Sequence, residues 1–574
     1  MTSSPPARVK RTRTSTLGPL RSKRGCRVCK IRRVKCGEEK PDCLRCTSTG
    51  RKCEYDSAIL GTFSSAPATV SILESPLSPS PNATWRERRA FAYYFQYAAP
   101  SVGGLDVDFW STIVPQVCRN ESAVWDAIIS ISALFESPKP SSFDTNRRDA
   151  LTWYSRSVSA VRARIERGGM DVFVGLISCV LFICIEALQE GIEEAVRLYG
   201  QGVKLILDLR TQVASGAISP SKASVLEETI VPIFGRLATV TLAPKTFSLD
   251  PLLREHRQLP TRGFLSLKSA REAIVLLAAE VQLFQASCEE HHETTSDHQV
   301  PPQLRAQQAV LLTRLTMWHS GLTTLIQSLS STNILTPRQL SVGAPLLTHY
   351  EMLYVTLATC VSRFKTETDN YLLHFQNIIE QSRIALDAST RSDGSQPPFT
   401  FDIGVGLPLW FVALRCAGPQ TRREAIDQLH RAPQVQGFYG SRMAATHAEG
   451  IMMLEENLAC SINTTPGMPS HSHTTPEPQG SPATNHPPTP GSVTSIGSDR
   501  IVINMALPEE ARIKPIGAFT PRQGLPPQLT NDDILKWNRS FDQTYLHFSR
   551  NKRNLVTGAW QIVHECVPFG PVAG

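Results

Sequence analysis

The chain has 574 residues, with 59 lysines and arginines against 51 aspartates and glutamates, 14 cysteines and a formal net charge of +8. A single core rarely fills more than about 250–300 residues, so at least two folding units are expected. The excess charge is too small for a protein that is basic throughout. The longest apolar run, residues 173–185, falls short of the ~18 residues that cross a bilayer, so a buried core helix is predicted and no membrane partner.

The charge is concentrated at one end. Residues 1–56 hold sixteen Lys/Arg and five Asp/Glu, and the rest of the chain sums to −3. A basic block beside a nearly neutral body is the footprint of a small module that meets a polyanion. The opening stretch "MTSSPPARVKRTRTSTLGPL" has no apolar run after its basic residues, so it does not read as a secretory signal and an intracellular protein is expected. Residues 1–20 are predicted to be a disordered basic tail. Arg8, Lys10, Arg11 and Arg13, followed by Arg21, Lys23 and Arg24, form clusters suited to nuclear import, to phosphate contacts, or to both.

Residues 21–56 contain the densest chemistry. Cys26, Cys29, Cys36, Cys43, Cys46 and Cys53 follow C-x2-C-x6-C-x6-C-x2-C-x6-C, two near-identical halves. Six thiolates are too many for one tetrahedral ion and too few for two independent ones. If two sulfurs each bridge both metals, the eight coordination positions are filled. A soft, all-thiolate set favours zinc over magnesium, calcium or manganese. Iron–sulfur, metal-storage and RING-type folds are the alternatives, and those patterns call for eight ligands or a histidine. The stretch has too few aliphatic side chains for an apolar core, so the metal must supply most of its folding free energy.

The spacing, the basic run "KIRRVKC" and the proline of "EEKPDC" resemble the fungal binuclear zinc cluster transcription factors, a six-cysteine module that binds DNA. The resemblance implies two Zn2+ ions bridged by Cys26 and Cys43, with Pro41 shaping the loop between the halves. It also implies a nuclear regulator of RNA polymerase II genes that reads CGG-like triplets of double-stranded DNA in the major groove, often with lysine where this sequence has Arg33. Each half is predicted to form a short helix after its CxxC pair, over residues 30–35 and around Cys46, clamped by the metal because six residues are not a stable helix alone. That presents Lys30, Arg32, Arg33 and Lys35 to base edges, where arginine forks suit guanine O6 and N7. Arg27, Arg51 and Lys52 are assigned to phosphates, which set register without reading sequence.

Residues 57–84 are expected to be a flexible linker. Ile59, Phe63, Ala66, Val70, Leu73 and Leu77 recur at coiled-coil spacing, but Pro67 and Pro76 each cost a helix interior about 3 kcal/mol. The sequence therefore leaves monomer and homodimer both open.

From residue 85 to 460 the pattern is helical and irregular, with no fixed repeat. Leu151, Tyr154, Val158, Val161 and Ile165 are predicted to form one helix face, stopped at Gly168 and Gly169. The apolar helix that follows is closed by Gly191, and Val196, Tyr199, Val203 and Ile206 face inward from the next. Further helices are predicted at 266–284, 303–329, 347–364, 372–386, 445–458 and 532–548. This body resembles the fungus-specific regulatory domain that accompanies such clusters, which implies effector sensing or the binding of transcriptional co-regulators.

Residues 287–302 read as a polar loop, although Cys288, His291, His292 and His298 are metal-ligand types. Residues 461–500, rich in Pro, Ser and Thr, are expected to be disordered, and 501–574 to complete the helical domain. Ser75, Ser78, Ser80, Thr465, Thr475, Ser481 and Thr489 each precede a proline and are candidates for phosphorylation. The expected fold is mainly α: a small two-zinc DNA-binding module, a flexible linker and a large irregular all-α regulatory domain. The sequence has no nucleotide-binding glycine loop, no HExxH and no GxSxG, so no enzyme is expected. The alternative reading is a ligand-sensing or interaction scaffold whose zinc module does not read DNA.

Overall fold

A computed structural model describes residues 26–32, 34–39, 43–50, 53, 83–136, 145–239, 252, 263–294, 300–331, 337–463, 507–537 and 539–569. The basic tail and its import candidates, residues 57–82 of the linker with the heptad pattern, Pro41, His298, residues 464–500 of the Pro/Ser/Thr-rich segment and the seven Ser-Pro and Thr-Pro sites lie outside these residues, while Thr84 caps a helix and residues 461–463 are helical. The chain divides into two compact units, Met1–Leu77 and Ser78–Gly574.

The small unit holds two short helices, α1 (Arg27–Arg32) and α2 (Leu44–Thr47). The first starts inside its CxxC pair, three residues before the predicted 30–35. Cys26 stands where a helix-capping serine or aspartate would, and its sulfur accepts the Cys29 N–H at 3.3 Å. The Val34 N–H closes onto Cys29 O at 3.1 Å. Lys35, predicted to be helical, therefore falls in the irregular segment that follows.

In the large unit, α3 (Trp85–Tyr93) starts at a reciprocal cap between Thr84 and Glu87. Helices α4 (Ser122–Glu136) and α6 (Val172–Leu188) are buried on nearly every face, so the apolar run at 173–185 is a core helix. Among the described residues no helix is long and apolar enough to cross a membrane. Helix α5 (Thr145–Glu166) packs on α4, and α7 (Ile192–Ala214) on α6. The α7 face is as predicted at Tyr199 and Ile206, which are buried.

The α5 face is not as predicted. Ala150, Trp153 and Ser157 are buried, whereas Leu151, Val158 and Ile165 are exposed. Small residues let the two helices approach closely, and Ser157 Oγ donates to Ala123 O at 2.6 Å while Ser130 Oγ donates to Ala150 O at 2.9 Å. Gly168 ends α5 with φ +67°, as expected. At the end of α6 the left-handed residue is Glu190 (φ +65°), and Gly191 opens the next helix.

The remaining long helices are α8 (Val231–Thr239), α9 (Leu267–Thr294), α10 (Pro302–Ser331), α11 (Pro337–Thr359), α12 (Leu372–Ser389), α13 (Gly406–Arg415), α14 (Pro419–Arg431) and α15 (Ser441–Asn463). Helix α11 begins ten residues before its predicted start at 347 and carries Pro345, which would ordinarily break a helix, in its interior. Helix α9 runs through residues predicted to be loop, to Thr294. Trp318 lies at the centre of the core shared by α9 to α15, its Nε1 donating to Ala270 O at 2.8 Å.

The chain is mainly helical, but two small sheets interrupt it. Strands β1 (Phe399–Thr400), β2 (Val435–Gln436) and β3 (Tyr439–Gly440) form one. The other is the antiparallel set β4 (Ile513–Phe519), β5 (Tyr545–Arg553) and β6 (Trp560–Pro568). The helix predicted at 532–548 is only Asn531–Leu535, and its last four residues open strand β5. Tyr545, Leu546, His547, Phe548 and Ser549 are all buried, so β5 shows no alternation by which to recognise it. Leu546 and Phe548 pack on Ile451 of α15.

A buried ionic cluster ties distant segments together. Asp106 receives Arg236 from α8 and Arg271 from α9, and Arg271 also reaches Asp402 at 2.9 Å. Asp402 in turn accepts the Leu105 N–H at 2.8 Å. At Gly104 (φ +53°) a Cβ would strike this carboxylate, so glycine is required there. Burial alone would raise the Asp106 carboxyl, but the two guanidinium groups outweigh it and hold it down at about 2. A depressed carboxylate stabilises the fold fully above its unfolded value of 3.8 and loses that contribution as pH falls through about 2. Asp106→Asn should lower stability to urea by about 3–5 kcal/mol, because breaking a buried pair strands its partners. Its acid unfolding curve should also be shallower than the parent's between pH 3.8 and about 2.

Candidate zinc centre and nucleic-acid interface

The two CxxC turns converge. Cys26, Cys29, Cys43 and Cys46 are buried, and their sulfurs lie within 4.8 Å of one another, the one such group of metal-ligating residues among the described residues. The hydrophobic cluster of this unit consists of these four cysteines, with Val28, Cys36 and Cys53 packed against them. Sulfur replaces the aliphatic core that the sequence lacks.

The halves repeat in space as well as in sequence. The Cys26 N–H donates to Cys36 Sγ at 3.3 Å, and the Cys43 N–H donates to Cys53 Sγ at 3.3 Å. The same ten-residue loop is closed by the same bond twice. Cys36 Sγ also accepts the Glu38 N–H at 3.4 Å.

The sulfur spacings test the two-metal arrangement. Zinc–sulfur bonds of about 2.3 Å make a tetrahedron whose edge is about 3.8 Å. Cys26–Cys43, Cys26–Cys46 and Cys29–Cys43 each measure 3.7 Å, and Cys29–Cys46 measures 4.0 Å. Cys26 and Cys43 take part in all three of the shorter contacts, as two sulfurs common to both ions must. The longest contact joins two sulfurs that need share no ion. The donor set fits a binuclear zinc cluster: Cys26 and Cys43 would bridge, and the remaining pair of each half would complete one ion.

Burial raises all four of the central thiols, and the local donors then separate them. Cys43, where the Cys46 N–H and neighbouring sulfurs outweigh desolvation, is held at about 6. Cys26 is lowered in the same way by the Cys29 N–H. Burial and its neighbours push Cys29 up to about 12, and Cys46 is raised as well. The donors that favour thiolate at Cys26 and Cys43 thus act on the two sulfurs that would bridge.

The cationic side chains are distributed over this frame. Arg32 is half-buried, and its Nη1 donates to Thr49 Oγ1 at 3.2 Å, so one reader candidate also links the two halves. Thr49 is itself fixed, donating to Arg45 O at 2.8 Å. Lys35 is exposed. Arg33, Arg51 and Lys52, and the side chains of Arg27 and Lys30, lie outside the described residues. Sequence reasoning missed Thr49 and also Glu39, whose Oε2 accepts the Leu44 N–H at the start of α2 at 3.1 Å. An acidic residue just ahead of a helix is a legible capping signal.

Among the described residues, Cys288, His291 and His292 do not come together as a group of metal-ligating atoms. Cys288 and His292 occupy successive turns of α9, and His292 Nε2 lies 3.2 Å from Cys360 O. Residues 287–294 are helix rather than loop.

The model of the fungal Zn(2)-Cys(6) binuclear cluster domain matches residues 24–60. The aspercryptin biosynthesis cluster-specific transcription regulator atnN of Emericella nidulans is 28% identical over 301 residues, 46% of this chain and 45% of that protein. The Zn(2)-C6 fungal-type transcription factor afumD of Aspergillus fumigatus is 29% identical over 133 residues, 22% of this chain and 35% of its own. The transcriptional regulatory protein moc3 of Schizosaccharomyces pombe is 41% identical over 66 residues, 10% of this chain and 13% of its own. The chain thus spans less than half the length of these curated relatives. No solved structure matches it.

Elemental analysis of the purified chain should return two zinc ions, and chelation should unfold the small unit. Cys43→Ala should release both ions, whereas Cys53→Ala should leave one site close to full occupancy when read by native mass spectrometry. Residues 24–60 thus match a fungal Zn(2)-Cys(6) binuclear cluster domain, and the chain is similar to fungal regulators of transcription.

Proposed function

We propose that the protein is a nuclear, sequence-specific regulator of RNA polymerase II transcription whose zinc cluster reads CGG-like triplets in double-stranded DNA. The observation that carries this reading is the paired set of 3.7 Å sulfur contacts around Cys26 and Cys43. Those contacts clamp α1, a helix too short to persist alone, directly ahead of the basic segment that ends at Lys35.

A rigid body of that size fits a major groove about 12 Å wide. In this reading Lys30, Arg32, Arg33 and Lys35 face base edges, and Arg33 supplies the fork for guanine O6 and N7. Arg27, Arg51 and Lys52 hold phosphates and set register. The basic clusters from Arg8 to Arg24 direct nuclear import, add phosphate contacts, or do both. The helical body serves regulation, by sensing an effector or by binding co-regulators.

Gel shifts with the zinc-loaded chain test the proposal. Binding should prefer CGG-containing duplex over random duplex and weaken steeply with salt. Arg33→Ala should cost about 1–3 kcal/mol on the preferred site and relax base preference. Lys52→Ala should lower affinity nearly equally on every duplex and reduce the salt slope by about 1. Equal binding of all duplexes by the parent chain would favour an interaction scaffold.

A further inference from the structure

The C-terminal sheet brings two histidines face to face, 17 positions apart in the chain. His547 of β5 and His564 of β6 share one face of the sheet, because Ser549, two residues past His547, is in register with His564 and side chains alternate along a strand. His547 Nε2 lies 3.1 Å from His564 Nδ1, so one ring donates its N–H to the other. DNA recognition has no use for this pair.

The surroundings fix one ring and leave the other within reach. His547 is buried, and Phe519 of β4 stands edge-on to it with ring centroids 6.5 Å apart. His564 is half-buried on an outer strand of the sheet, so the pair is approached from that side. The C-terminal end of α9 lies over the same face, where Glu289 pairs at 2.9 Å with Lys514 of β4, itself in register with Ser549. Glu293, which is exposed, is one helical turn further on. Cys566, in register with His547, is already engaged, its sulfur donating to Asp533 O at 3.5 Å.

The gap between the two nitrogens suits a chelate. Two imidazoles on one zinc ion, each bonded at about 2.0–2.1 Å, hold their nitrogens about 2.9 Å apart at a right angle and about 3.3 Å apart at the tetrahedral angle. The observed 3.1 Å falls between these limits. Burial holds both rings below their ordinary value of 6.5, and the neutral ring is the form that binds a metal. Glu293 acts in the opposite sense on His564, favouring positive charge beside it.

We propose that His547 and His564 form a second metal site, a two-imidazole chelate for zinc or another borderline divalent transition ion, with water in the remaining positions. Binding requires no net release of protons. The N–H that lies between the rings moves to the far nitrogen of its own ring, and both facing nitrogens then present lone pairs to the ion. Imidazole suits zinc, copper and nickel, whereas magnesium and calcium prefer oxygen. Two neutral imidazoles hold zinc more weakly than a set of six thiolates, so this site fills after the N-terminal cluster. An ion there fastens the outer strand β6 to β5.

Native mass spectrometry tests the site on the full chain, first loaded with the zinc of its thiolate cluster and then given excess zinc. The parent should take up one ion beyond the cluster's, and His547→Gln and His564→Gln should each lose that ion while keeping the others. Thermal unfolding, followed by circular dichroism with each protein compared with itself before the excess, keeps a change in the variant's own stability out of the reading. Excess zinc should raise the Tm of the parent and not that of His564→Gln, and excess magnesium should raise neither. No further ion on the parent, or the further ion retained by both variants, would overturn the proposal. A further ion bound with no rise in Tm would overturn the fastening of β6.

Discussion

Six thiolates set against the eight positions of two tetrahedral ions are the constraint on which the N-terminal unit depends, since two sulfurs would have to serve both. With four terminal thiolates alone, neither ion would be fully coordinated, and with no aliphatic core the peptide would have nothing else to fold around. The repeated N–H donors from Cys26 and Cys43 to the last sulfur of each half set the loops that bring the six ligands together. Metal binding is then folding, and folding creates the surface on which the cations are displayed.

Within that frame, the atoms that cap the helix are those that would ligate the metal. Cys26 caps α1 through the bond from the Cys29 N–H, and that bond also favours its thiolate. A helix of six residues becomes rigid because its first turn is attached to the cluster. The Arg32 to Thr49 bond adds a link between halves that does not pass through metal. Rigidity matters for recognition because a fork of donors reads a base edge only when little orientation remains to be lost.

The larger unit follows different physics. Its helices bury apolar faces, but its long-range arrangement is specified by charge placed where water cannot reach it. Asp106 joins α8 to α9, and Glu455 of α15 accepts both Arg422 from α14 and the Ile513 N–H of β4. Glu509 holds the Lys365 and Thr366 N–H groups and the Asn551 side chain in the same region. Buried ion pairs of this kind contribute little net stability compared with an apolar replacement, but losing one partner is costly. They favour one docking of the C-terminal sheet over its neighbours.

The zinc module was legible from residue spacing, because six thiolates in a repeated pattern leave few coordination schemes and the spacing is local. Helices in the body were legible as helices, because periodicity is a property of neighbouring residues. Their phase was not: in α5 the buried face is chosen by Trp153 and by the close approach of α4, which residues 145–166 do not encode. Nor was strand β5, since burial on both faces erases the alternation that marks a strand. The ionic cluster of Asp106 and Asp402 assembles groups separated by as many as 297 positions. Those contacts exist only once the chain has packed, since solvation and steric fit are settled between elements rather than along them. Local spacing thus determined the metal chemistry and the helical character, and tertiary packing alone decided which faces and charges would meet.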